Sequence, residues 1–350
     1  MSDEPPFPLL AMVGQQEMKL ALFLALINPA LGGILLVGPR GTGKTTAVRS
    51  LADLLPEVPR SLCEYGCLPE DIEAGGMDAV CTNCAQKYGM GDPIAVIDKV
   101  RLLELPLNAR LDDVVGTLDE RAAGTGLFRV RRGLLSQADR NLLYVDEVNL
   151  LPDDIVDAIL DASAQGHYTV RRGPIASTYN ARFVLIGSMN PEEGNLRPQM
   201  MDRFGLRLIV QGLINLDERL EAYRRVLAYK QNARQLAHAY HPITELAREE
   251  IQTARQLLPS VQLPDRVAQM GLELVQHLQI DSLRAEITLF EAARAYAAAD
   301  NRLEVAPEDL QQIAPMALRL RRSPFMAQYF EHQNLEETHI QQMMEKVIHS

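Results

Sequence analysis

The sequence predicts an α/β fold, a parallel sheet sandwiched by helices, with an all-helical domain after it. Three observations predict it. The apolar run Ile34-Leu35-Leu36-Val37 leads into Gly38-Pro39-Arg40-Gly41-Thr42-Gly43-Lys44-Thr45 and then into a helical stretch. A second apolar run, Asn141 to Val145, ends in Asp146-Glu147. From Asp217 onward the alternation of strand and helix patterns gives way to helical periodicity alone, which places a domain boundary near Leu213.

In chain order, residues 15–28 carry a broad apolar stripe and read as a mostly buried helix that Asn28-Pro29 ends. The first strand and the glycine-rich loop follow, then a helix over 46–55. Residues 57–92 lack clear periodicity and form a long insertion. Residues 100–106 read as a strand leaving it, 112–118 as a short helix, 124–133 as a hairpin or loop, and 134–139 as a short helix. The strand at 141–148 precedes a helix over 152–164. Two short runs flank Arg171-Arg172-Gly173-Pro174, a hairpin signal. A buried strand over 181–186, a short helix over 200–204 and a last strand over 206–210 complete a first domain at 1–213. The second domain, 214–350, carries helices at 217–235, 243–257, 264–278 and 283–299 and one beginning at Pro307, with a polar tail over 327–350.

The loop fits G-x-x-x-x-G-K-[ST] between a strand and a helix, the context in which that pattern binds phosphate. Its glycines let backbone N–H groups face phosphate oxygens, and the helix N-terminus adds free donors. Gly38, Pro39, Arg40, Gly41, Thr42, Gly43, Lys44, Thr45 and Thr46 are therefore expected to bind a nucleotide triphosphate, with Lys44 at the β- and γ-phosphates and Thr45 on Mg²⁺. Asp146 stands at the carboxyl end of a core strand, where parallel sheets bind ligands, and is the second expected Mg²⁺ contact. Glu147 is expected to polarise the attacking water. Either acid also suits an ordinary strand end. Asn190 could position the same water, or simply form the turn before Pro191. The basic stretch around Arg197 and Arg203 suits a contact with a neighbouring subunit's nucleotide, and equally well surface ion pairs. Arg284, at the start of an apolar helix, could close over the phosphates.

All four cysteines lie in the insertion as Cys63, Cys67, Cys81 and Cys84. Two close pairs on either side of a short loop match a closed, structural four-thiolate Zn²⁺ site. An iron–sulfur cluster or unligated or disulfide-linked thiols are the other readings, and disulfides are disfavoured in a reducing cytosol. The basic stretches 128–133 and 168–173 fit a pore or partner contact as well as a solvated hairpin. The net charge of -11 argues against a general nucleic-acid binder held by phosphate contacts. The acidic start, Met1 to Pro6, leads into no signal-type segment, residues 20–27 are too short to span a bilayer, and a cytoplasmic protein is expected.

These residues together resemble a known family. They include Gly38 to Thr45, Glu104-Leu105-Pro106-Leu107, Val115-Gly116-Thr117-Leu118-Asp119 and Leu143 to Leu151. They continue through Ala181 to Ser188, Asn190-Pro191-Glu192-Glu193-Gly194 and Leu196 to Gly205. The set is similar to subunit I of magnesium chelatase, an AAA+ ATPase of chlorophyll and bacteriochlorophyll synthesis, over most of residues 8–325. The resemblance implies Walker A roles for Lys44 and Thr45, Walker B roles for Asp146 and Glu147, and sensor 1 at Asn190. It implies an arginine finger acting in trans at Arg203, in a homo-oligomeric ring, usually a hexamer, and sensor 2 at Arg284. It places hairpin insertions around 100–133 and 167–180. It also implies two partners, an AAA+ subunit with an integrin-like domain and a large porphyrin-binding subunit that inserts Mg²⁺ into protoporphyrin IX. No porphyrin site falls in this chain. The four-cysteine insertion and the long polar tail depart from the family pattern. They leave open a MoxR-like chaperone that remodels or metallates another protein. A scaffold that binds nucleotide without hydrolysing it is disfavoured by Glu147.

Overall fold

The computed structural model describes residues 4–63, 65–118, 130–172 and 175–321. Five strands form its central sheet: β1 (Ile34–Val37), β2 (Leu102–Glu104), β3 (Leu142–Val145), β4 (Val184–Met189) and β5 (Leu206–Ile209). Their order is β5-β1-β4-β3-β2 and every pairing is parallel. β1, β3 and β4 are buried along their whole length, as strands covered on both faces must be.

The two-residue period of a strand sorts the apolar side chains between the two faces. Ile34, Leu36, Leu142, Tyr144, Val184, Ile186, Leu206 and Leu208 join one core cluster. Leu35, Val37, Leu143, Val145, Leu185 and Met189 join the other. Helices Gln16–Ile27 and Lys44–Arg49 cover the first face, and the C-terminal helices Ala233–Leu257, Asp265–His277, Leu283–Ala299 and Pro307–Leu318 pack into the same cluster. Helix Gln16–Ile27 buries seven of its twelve residues, consistent with a helix that is apolar nearly all round. Helices Leu111–Val115, Asp153–Gln165 and Pro198–Arg203 cover the second face. Among the described residues no helix is long and apolar enough to cross a membrane.

Several expectations need correction. The strand expected at 100–106 is only Leu102–Glu104. The helix expected over 112–118 stops at Val115, because Gly116–Leu118 pairs antiparallel with Val130–Arg132 and tertiary pairing overrides the local pattern. The helix expected from 243 begins at Ala233 and runs through Pro242 as one 25-residue element. Its buried residues, Ile251 and Ala254, lie C-terminal to Pro242, so the N-terminal half carries no buried stripe to mark it. The helix after the glycine-rich loop is Lys44–Arg49, continued by a 3₁₀ turn at Leu51–Leu54. The insertion carries helices Pro69–Gly75 and Thr82–Gly89. The hairpin at 167–180 is observed as Tyr168–Tyr179 and neighbouring pairs, with its turn at 173–174 outside the described residues. The tip of the 124–133 segment and the polar tail also lie outside them.

Candidate functional site

Parallel pairing brings the carboxyl ends of β1, β3 and β4 to one edge of the sheet, so Gly38, Asp146 and Asn190 emerge side by side. Gly38 bonds through its N–H to the Met189 carbonyl at 3.0 Å. A Cβ at Gly38 would lie 2.1 Å from the Val210 carbonyl oxygen, so only glycine fits this start of the loop. The loop ends at Gly43, whose left-handed backbone (φ 88) caps the helix without a side-chain acceptor. The first amides of that helix are thus left for an anion. The resulting cleft, about 310 Å³, is lined by Arg40 to Thr46, Asp146, Glu147, Ser188, Met189 and Asn190.

Within it, Lys44 is 9% exposed and its ammonium donates to the carbonyl oxygens of Gly38 (2.7 Å) and Pro39 (2.8 Å). Burial lowers its pKa from the usual lysine value, opposed by Asp146, Glu147 and Glu193. The ammonium is therefore already oriented by the loop, with negative charge around it. Thr45 Oγ1 and the Tyr144 hydroxyl are 3.1 Å apart, and that hydroxyl donates to Asp146 Oδ1 at 2.8 Å. Burial, foremost, pushes the Tyr144 phenol up to about 12, so it stays a donor. Ser188 Oγ donates to the same Asp146 oxygen and accepts the Glu147 N–H at 3.2 Å. The two oxygens expected at Mg²⁺, those of Thr45 and Asp146, thus share one phenol, and hard oxygen donors beside a triphosphate cradle fit that ion.

Glu147 adopts a left-handed backbone (φ 49, ψ 49), a conformation that costs a non-glycine residue about 1–3 kcal/mol and concentrates at functional sites. Its carboxylate accepts from Arg40 Nη2 at 2.8 Å, and the same nitrogen lies 2.8 Å from Glu193. Asn190 is buried at the cleft and its Oδ1 accepts the Glu192 N–H at 3.3 Å. The turn-forming and the cleft-lining readings of this residue therefore both describe it.

Of the residues expected at the nucleotide, Gly38, Pro39, Arg203 and Arg284 do not line the cleft. Arg203 pairs with Asp157 (2.8 Å) and Asp161 (3.2 Å) on helix Asp153–Gln165. Arg284 is half-exposed and lies 3.8 Å from Asp202. Asp202 itself collects Arg321 Nη1 (2.6 Å), Arg207 Nη2 (3.2 Å) and Ser282 Oγ (3.1 Å). Burial, foremost, lowers the Arg207 pKa to about 9. The sequence reading missed Tyr144, Ser188 and Glu193. Tyr144 was the most accessible, since two residues before Asp146 on a strand puts it on the same side.

The four cysteines do converge. Their Sγ atoms all lie within 4.8 Å of one another, and Cys67, Cys81 and Cys84 are buried. The hydrogen bond with Cys67, foremost, pulls the Cys63 thiol below the usual range, and burial, foremost, pushes Cys84 above it.

Residues 31–192 match the AAA domain family and residues 271–342 the AAA lid domain family. A Methanocaldococcus jannaschii protein named magnesium-chelatase subunit ChlI homolog is 39% identical over 335 residues, covering 95% of this chain and 90% of its own. The magnesium-chelatase 38 kDa subunit of Acidiphilium rubrum is 42% identical over 322 residues, covering 91% and 92%. Among solved structures, a chain of the complex between subunits BchI and BchD of magnesium chelatase superposes with a TM-score of 0.52 at 37% identity, covering 91% of this chain and 97% of that one.

Proposed function

The chain belongs to the ChlI family of magnesium-chelatase subunits, ATP-dependent enzymes with an AAA domain and lid, and from that premise we propose that it is the motor subunit of a magnesium chelatase. On this reading ATP hydrolysis by this chain drives Mg²⁺ insertion into protoporphyrin IX, which a large porphyrin-binding subunit carries out. The reading places the chain in the cytoplasm as a hexameric ring docked on a second AAA+ subunit with an integrin-like domain. The resemblance to a BchI chain solved with BchD supports the pairing with a second subunit. The nucleotide domain is assigned to 1–213 and the lid to 214–350.

The observation that carries the reading is the convergence of Lys44, Thr45, Asp146, Glu147 and Asn190 on one cleft. In that cleft Lys44 exchanges its two loop carbonyls for β- and γ-phosphate oxygens. Thr45 and Asp146 hold Mg²⁺, which neutralises phosphate charge when bound. Glu147 takes the proton of the attacking water and Asn190 orients that water. For Glu147 to act, its carboxylate must leave Arg40, and the γ-phosphate is the anion that competes for that guanidinium. Arg203 reaches the nucleotide of a neighbouring subunit, and Arg284 senses the phosphates from the lid. The cleft within one chain is therefore half of a site.

Reconstitution with chelatase partner subunits tests the reading directly. ATP-dependent formation of Mg-protoporphyrin that requires this chain is the expected result. Robust ATPase activity with no metal insertion alongside competent partners would instead support a MoxR-like role on another metalloprotein.

A further inference from the structure

The insertion between residues 57 and 98 holds a shape that its apolar content does not explain. Its stem is the antiparallel pair Val58–Ser61 and Ala95–Asp98, closed by the Arg60–Asp98 ion pair at 2.7 Å. Beyond the stem, two short helices enclose a separate core whose buried members are Cys67, Val80, Cys81, Cys84 and Ile94. Three of those five are cysteines. Val80 and Ile94 alone bury too little apolar surface to offset the backbone entropy of ordering more than thirty residues, which costs about 1–2 kcal/mol each.

The thiols meet from two directions. Cys63 and Cys67 lie on the turn after the stem, and Cys81 caps the helix that carries Cys84. Backbone N–H groups aim at three of the sulfurs: Cys67 N to Cys63 Sγ (3.3 Å), Cys81 N to Cys67 Sγ (3.3 Å) and Cys84 N to Cys81 Sγ (3.4 Å). Ser61 Oγ adds a fourth donor, 3.5 Å from Cys63 Sγ. Amide donors around sulfur stabilise thiolates and orient metal ligands. Four convergent sulfurs backed by such donors form a cation site in all but the ion.

We propose that Cys63, Cys67, Cys81 and Cys84 bind one Zn²⁺ as a closed tetrathiolate site, and that this ion orders the insertion. A Zn–S bond of about 2.3 Å sets a tetrahedral S···S edge of roughly 3.8 Å, so the observed cage closes on zinc by a contraction of about 1 Å at most. A polynuclear iron–sulfur cluster interposes iron and sulfide between the thiolates and needs them farther apart. On binding, four S–H protons leave to solvent as four Zn–S bonds form, with no change of oxidation state. Protein fills every coordination position, so the site is structural. Its effect extends outward. Helix Pro69–Gly75, ordered by the site, presents Glu70 to Arg140, whose Nη1 donates at 2.9 Å immediately before β3. The ion thereby fixes how the insertion sits on the nucleotide domain. The inference does not depend on the chelatase reading.

The full chain, purified without chelator, is expected to contain one zinc per chain, released when the thiols are titrated with a mercurial. The double variant Cys81→Ser/Cys84→Ser is expected to contain none. Refilling the stripped wild-type chain with Co²⁺ should give the intense visible bands of a tetrahedral tetrathiolate, a readout that survives even if the variant fails to fold. Stripped chain should also be cut by protease within 63–92 and regain protection when Zn²⁺ alone is added. A chain that lacks zinc and takes up none, a double variant with wild-type zinc content, or iron recovered with inorganic sulfide overturns the proposal.

Discussion

The nucleotide cleft and the cysteine insertion are built on opposite principles, although both gather polar groups into one place. The cleft inherits its geometry from the sheet. Asp146, Glu147 and Asn190 sit at the ends of strands whose side chains fill two large cores, and Lys44 and Thr45 start the helix that follows β1. The insertion has a two-stranded stem and a core of five buried residues, three of them cysteines. The difference teaches that this chain keeps its nucleotide site where packing is abundant, and gathers its thiols in a segment where packing is sparse; on the zinc proposal, ligand chemistry holds that segment.

Removing the insertion's ligands should have the largest structural effect. Cys81→Ser/Cys84→Ser should leave residues 63–92 open to protease while the sheet stays protected, and coincident cutting of both would erase the contrast between the regions. Glu147→Gln is the converse probe. It should lower ATPase turnover by about 10²- to 10⁴-fold, the range for a lost general base, and leave zinc content unchanged. Steady-state phosphate release measures the first quantity, and turnover within tenfold of wild type would remove Glu147 from its role. Asp202→Ala should cost about 3 kcal/mol in denaturant unfolding, because it strands the fully buried guanidiniums of Arg207 and Arg321 without their shared counter-charge. A loss under about 1 kcal/mol would mean other groups neutralise them.

Two finer substitutions sharpen the picture within the cleft. Tyr144→Phe removes the hydroxyl between Thr45 and Asp146 and should weaken Mg-ATP binding by about 1 kcal/mol, or roughly fivefold, in titration calorimetry. Unchanged affinity would make the phenol a core residue only. Arg40→Ala should have the smallest effect, a rise of at most about fivefold in turnover at saturating ATP as Glu147 loses an exposed ion-pair partner. A tenfold fall would instead show that Arg40 acts on the transition state and not only as the partner of Glu147.

The legibility of the sequence follows the same division. Residues 38–46, 146–147 and 190 could be read because each motif is contiguous and each follows a strand. Ser188 could not, since its role arises from the register that sets Val145 opposite Gly187, nor could Glu193, whose partner Arg40 lies on a loop distant in sequence. The cysteine set was legible by spacing alone, while its two helices were not, because Pro69–Gly75 buries no residue and Thr82–Gly89 buries only Cys84, so neither carries a periodic apolar stripe. The strand at Gly116–Leu118 was misread as helix because its partner at Val130–Arg132 is distant in sequence. The first ten residues of the 233–257 helix escaped, because that part, up to Pro242, is mostly exposed and carries no buried stripe.

Asp202 has a consequence for how the two parts of the chain are fastened. Through Arg321 and Ser282 it ties the lid to the helix that ends at Arg203, and Arg321 also donates to the Gly205 carbonyl at 2.9 Å. A single carboxylate thus serves as the rivet between them, and Arg203, the next residue along, sits at its edge.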